Sequence, residues 1–180
     1  MKTVATLLVA LLLLPSRADA YLEFTVTVGS QSTAFKWSTA APVRWFATDR
    51  GVPGVSATDF QAAIARAFAT WQSVPTATIA FQFAGFTGAE PFEDDRMPVL
   101  GFQDAPELER VLGATGFVID TLTGEIVESD VFFNSAFPWS TAAAGDPARF
   151  DLQSVATHEI GHFIGLRSEE HTSELQSLAY

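Results

Sequence analysis

At 180 residues, with 48% hydrophobic and 17% charged positions, the chain suits one domain with a real core, and its composition argues against disorder. A formal net charge of -11 argues against nucleic acid or an anionic membrane surface as partner. The lack of cysteine excludes disulfides, thiol nucleophiles, thiolate metal sites and a lipid-anchored cysteine.

The chain opens like an export signal. Lys2 precedes an apolar run, residues 4–14, that is too short to span a bilayer comfortably. Pro15 breaks the run, and Ala18-Asp19-Ala20 forms an A-x-A site, so cleavage is expected after Ala20 and the mature protein is expected outside the cell. A membrane anchor or a buried helix is the less favoured reading of this stretch. Residues 25–28 and 43–46 read as short strands, the first alternatively as a flexible lead-in. Gly51-Val52-Pro53-Gly54 is a turn. Ser56 then predicts a helix N-cap with Asp59 completing a near capping box. From Ala57 to Gln72, Phe60, Ala63, Ile64, Ala67, Phe68 and Trp71 share one face, the stripe of a helix lying on a core.

Residues 76–83 alternate as a strand, with Ile79, Phe81 and Phe83 on one side, and residues 97–102 form another short apolar strand. Residues 115–119 and 126–133 flank Asp120-Thr121-Leu122-Thr123-Gly124, which predicts a hairpin. Residues 134–149 are irregular. Asp151 caps a second long helix running from Leu152 through His158-Glu159-Ile160-Gly161-His162, and Gly165 is the expected stop.

That last helix carries the chemistry. Histidines four apart on a helix lie on one face, about 6 Å apart at Cβ. Two imidazoles so placed can share one zinc ion, and the intervening glutamate then lies beside the water on the metal. Zinc brings the pKa of such a water down to about 7 and polarises a scissile carbonyl. His158 and His162 are therefore the candidate metal ligands, and Glu159 the candidate general base and acid. Two surface histidines on an amphipathic helix are the bland alternative. The capped helix, the small Gly161 between the ligands and the absence of any other histidine before residue 167 weigh against it. Those histidines are better explained as ligands than as part of a Ser-His-Asp site.

With Gly165 three residues after His162, the segment resembles the metzincin metallopeptidases, whose longer signature is H-E-x-x-H-x-x-G-x-x-H. Asp151-Leu152-Gln153-Ser154-Val155-Ala156-Thr157 before it is similar to the matrixin branch, including its bacterial secreted members. The resemblance covers roughly residues 43–166. It implies an α+β, zincin-like fold: a mixed twisted sheet with two long helices, the second bearing the metal. It also implies a zinc endopeptidase acting through zinc-activated water, with Glu159 as base, on a peptide or protein substrate held extended. A monomer is expected. By the same resemblance, Glu128-Ser129-Asp130-Val131-Phe132-Phe133-Asn134 is the edge strand beside the cleft, although a plain core strand reads equally well.

The pattern then departs. Its third ligand falls on Ser168, and the only methionines, Met1 and Met97, lie upstream, so the family's methionine turn and C-terminal subdomain are expected to be missing. Residues 167–177 also resemble one reading frame of a translated sequencing adapter. Three segments are expected: a signal peptide at 1–20, a partial metallopeptidase domain at 21–166 and a non-native tail at 167–180. If the tail is native, His171, Glu169 or Glu170 is the candidate substitute ligand. The chain as written is expected to be an inactive fragment. The alternative is a secreted, non-catalytic binding domain with a degenerate zinc site. Calcium is a secondary expectation, at Glu93-Asp94-Asp95 or at Asp120 with Glu125, where an ordinary solvated loop is the simpler reading.

Overall fold

A computed structural model describes residues 22–167. In chain order the elements are β1 (Leu22–Glu23), β2 (Thr25–Val28), β3 (Gln31–Ala34), β4 (Val43–Thr48), α1 (Ala57–Gln72), β5 (Phe81–Thr87), β6 (Val99–Gln103), β7 (Gly113–Ile119), β8 (Ile126–Asn134), β9 (Trp139–Ser140), β10 (Phe150–Asp151), α2 (Leu152–Phe163) and β11 (Leu166–Arg167). The main sheet runs β5-β4-β6-β8-β7, parallel throughout except for the antiparallel β7–β8 hairpin. Together these give the mixed sheet and two helices expected of an α+β, zincin-like domain. Both proposed termini, the signal segment at 1–20 and most of the tail, lie outside the described residues. Among the described residues no helix is long and apolar enough to cross a membrane.

Helix α1 forms where the sequence dictates it. Ser56 Oγ accepts from the Asp59 N–H at 3.1 Å and donates to the Asp59 carboxylate at 2.6 Å, closing the first turn. The predicted stripe then buries Phe60, Ala63, Ile64, Ala67 and Phe68. These meet Trp45, Phe133 and Phe163 in an aromatic core, with Phe60 5.5 Å from Phe133 and Phe68 5.4 Å from Phe163. Helix α2 packs beside α1, and the Trp71 indole N–H donates to the Thr157 carbonyl at 2.8 Å. A Cβ at Gly161 would lie 2.9 Å from the Trp71 ring, so the residue between the two histidines must be small for the helices to approach.

Two expectations need correction. The strand placed at 76–83 begins at Phe81, because pairing with β4 starts at Val43 opposite Phe81; before it, the Ala77 N–H bonds back to Val74 in a turn. Ile79, Phe81 and Phe83 nonetheless all pack on the core. The segment 128–134, read as the edge strand, lies inside the sheet between β6 and β7. The edge on that side is β7, and β8 is buried along its length apart from Val127.

The carboxylates of 128–134 are covered from the face opposite the helices. The loop between β5 and β6 turns back through Phe92 and Arg96, both at positive φ, and offers its backbone to them. Asp130 accepts from the Phe92 N–H at 2.6 Å and from the Val99 N–H at 2.7 Å, and Glu128 accepts from the Arg96 N–H at 2.9 Å. Burial pushes the Asp130 carboxyl up to about 7, against the pull of its two backbone donors, and pushes Glu128 up as well. A free aspartate titrates near 3.9, so the folded chain holds a proton on Asp130 that the unfolded chain has released across roughly pH 4 to 7. Its contribution to stability is therefore present below about pH 4 and lost as the pH rises through about 7. Urea denaturation across this range should show the wild type losing ground to Asp130→Asn, by up to about 1.4 kcal/mol per pH unit. A gap independent of pH would contradict it.

Candidate metal and peptidase site

The site is carried by α2 and closed by β7. Pairing of β10 with β9, Phe150 opposite Trp139 and Asp151 opposite Ser140, fixes where the helix begins. Asp151 caps it by accepting from the Ser154 N–H at 2.7 Å. Leu152, Ala156, Ile160 and Phe163 turn into the core, which leaves His158 and His162 on another face. Gly165, at φ +94°, ends the helix as the sequence implied.

The two imidazoles converge. Their Nε2 atoms stand 3.2 Å apart, with the rings nearly perpendicular at 87°. Two nitrogens bound to one tetrahedral zinc at about 2.0–2.1 Å would be separated by about 3.3 Å. The observed spacing is that bite. His162 Nδ1 lies 2.8 Å from the Leu166 carbonyl oxygen. A carbonyl can only accept, so Nδ1 carries the proton and Nε2 presents its lone pair, the tautomer a metal ligand needs. A cavity of about 270 Å³ opens on the pair, lined in part by Trp71, Thr157, Gly161 and Leu166. These residues fit zinc as two of its ligands. Among the described residues no group of three or more His, Cys, Asp or Glu is placed to hold a metal, and Ser168 to His171 lie outside them.

Glu159 sits between the histidines in sequence and is buried, 6% exposed. It turns toward β7, where Thr115 Oγ1 lies 2.8 Å from the carboxylate Oε2 and 3.0 Å from the Glu159 carbonyl. Gly113, two residues back on the same side, lies against it: a Cβ there would be in ordinary contact with Glu159 Cγ at 3.4 Å, and the closer approach, 2.9 Å, is to the Phe132 carbonyl oxygen. Sequence reasoning missed Thr115, which belongs to no motif; only the register of β7 against β8 brings it over the helix. It also missed Phe24, whose ring lies 6.0 Å from that of His162. The calcium candidates are not drawn into this site. Asp120 Oδ1 accepts from the Leu122 and Thr123 N–H groups and caps the hairpin turn, and Asp95 accepts from the Met97 N–H.

Comparison with known proteins agrees with the geometry. A family model described as Matrixin matches residues 36–180, a span that also crosses the segment read from sequence as a foreign tail. The chain is similar to Metalloendoproteinase 1 of Glycine max, with 33% identity over 138 residues; the match covers 67% of this chain and 37% of that relative's length.

Thr115→Val removes a buried donor to a carboxylate. It should lower stability by about 1.5–3 kcal/mol in urea denaturation, with Thr115→Ser close to wild type. Equal stability of Thr115→Val and wild type would show that the hydroxyl contributes nothing to holding Glu159.

Proposed function

This chain belongs to the matrixin family of metallopeptidases, and from that premise we propose that it is built as a zinc-dependent endopeptidase, with His158 and His162 as metal ligands and Glu159 as general base. The observation that carries the proposal is the 3.2 Å approach of the two Nε2 atoms, with the buried Glu159 on the same helix. Zinc bound there would polarise the scissile carbonyl and acidify the attacking water. Glu159 takes the proton from that water on its carboxylate and delivers it to the departing amine. Thr115 holds that carboxylate from β7 while the proton moves. The peptide lies extended along β7, whose outer side faces away from its partner β8 and can offer backbone groups to an added strand. Helix packing at Trp71 and Gly161 fixes how closely α2, with both histidines, lies against α1.

The chain spans 37% of the length of the curated relative it matches, so substrate and whole-protein activity are part of the proposal. Secretion after cleavage behind Ala20 is supported by the leader-like residues 4–20. With Ser168 where the family pattern places a third ligand, this chain is expected to hold zinc weakly and to cleave slowly if at all.

A zinc titration paired with a casein digest tests the assignment. Zinc binding should be lost in His158→Ala and His162→Ala and kept in Glu159→Ala, and any chelator-sensitive cleavage should vanish in Glu159→Ala. Binding that survives both histidine substitutions would overturn the ligand assignment, and cleavage that survives Glu159→Ala would overturn the base. Vigorous cleavage by the chain as written would contradict the two-ligand account.

A further inference from the structure

We propose that the N-terminal arm, residues 22–37, is a positioning element for the metal site, fixing through Phe24 the backbone whose Leu166 carbonyl sets the ring and tautomer of His162. The inference rests on the assignment of His162 as a ligand and adds to it a part of the chain far away in sequence.

The Leu166 carbonyl is three residues beyond the end of α2, past a glycine at φ +94°, where the helix no longer holds the backbone. What holds it is the arm. Strand β11 has β1 as its one strand partner among the described residues, with Glu23 opposite Leu166 and Leu22 opposite Arg167. The Phe24 N–H donates to the Gly165 carbonyl at 2.9 Å, so the pairing continues up to the turn itself. Gly165 is shaped to the arm as well as to the helix end: a Cβ there would lie 2.5 Å from the Phe35 carbonyl oxygen.

The arm is anchored at its far end. The Phe35 N–H donates to Phe24 at 2.8 Å, the Lys36 N–H to Gly124 at 3.0 Å, and the Ile126 N–H returns to Lys36 at 2.8 Å. The Trp37 indole N–H donates to the Phe163 carbonyl at 2.8 Å, one residue after His162. Between these anchors the Phe24 ring packs 5.2 Å from Phe117 on β7 and 6.0 Å from His162, with Phe35 5.1 Å from Phe117. The arm therefore bridges the edge strand and the end of the zinc helix. Partners that orient a ligating histidine are worth about 10–100-fold in metal affinity, so loosening the arm should weaken zinc without removing a ligand.

The test uses the 180-residue chain with Phe24→Pro, which removes the N–H that bonds to Gly165, and Phe24→Leu, which keeps it. Two readouts are needed. Long-range ¹⁵N–¹H correlations of the metal-free protein report the His162 tautomer, and competition with a chromophoric chelator gives the zinc Kd. Phe24→Pro should lose the fixed Nδ1–H pattern and bind zinc about 10–100 times more weakly, with Phe24→Leu, which keeps the N–H but loses the ring, shifting both readouts the same way by less, and both retaining a cooperative melt. Phe35→Ala, which thins the aromatic wedge without altering the backbone, should shift both readouts the same way by less, and it serves if Phe24→Pro fails to fold. An unchanged tautomer in Phe24→Pro or Phe35→Ala overturns the inference whatever the zinc result. A tautomer that shifts in a protein that takes up no zinc would sustain the arm's hold on His162 and refute the ligand assignment instead.

Discussion

Two imidazole nitrogens facing each other at 3.2 Å form the constraint on which this domain is organised. With its Nδ1 proton directed to the Leu166 carbonyl, His162 turns its Nε2 lone pair toward His158 Nε2. Such an arrangement calls for a proton or a cation between the rings, and the spacing is that of a tetrahedral zinc bite. Holding it requires that α2 stay wound through His162 and that the Leu166 carbonyl keep the His162 ring oriented. The Asp151 cap and the β9–β10 pairing fix its start, the Trp71–Gly161 contact fixes its separation from α1, and the arm fixes its end.

The same helix faces the edge strand through Glu159 and Thr115. The edge strand and the buried Glu159 carboxylate are thereby joined by one buried hydroxyl. The hairpin register that sets Thr115 opposite Val131 also puts Asp130 and Glu128 on the sheet's other face, where the 88–98 loop covers them. One strand pairing thus serves both sides of the sheet. A register slip of one residue would turn Thr115 away from the helix and bury the wrong face.

Much of this was legible in the sequence because it is local. The bounds of α1, the caps at Ser56 and Asp151, the stop at Gly165 and the metal motif all depend on residues within a turn or two of one another. What was not legible depends on pairing between distant segments. The resemblance alone places 128–134 at the edge, and only the pairing of β8 between β6 and β7 and the return of the 88–98 loop show that Glu128 and Asp130 are buried. Residues 76–80 alternate correctly, but the ladder with β4 starts only at Phe81 opposite Val43, with the Ala80 carbonyl accepting from the Val43 N–H just before it. Thr115 and Phe24 carry no motif, and their importance comes from which helix they are folded against.

Zinc-edge X-ray absorption on the metal-loaded chain tests the central claim most directly. The account predicts two imidazole nitrogens at about 2.0–2.1 Å from the metal, with one of them lost in His162→Ala. A shell of oxygen ligands alone, or one unchanged by that substitution, would contradict it.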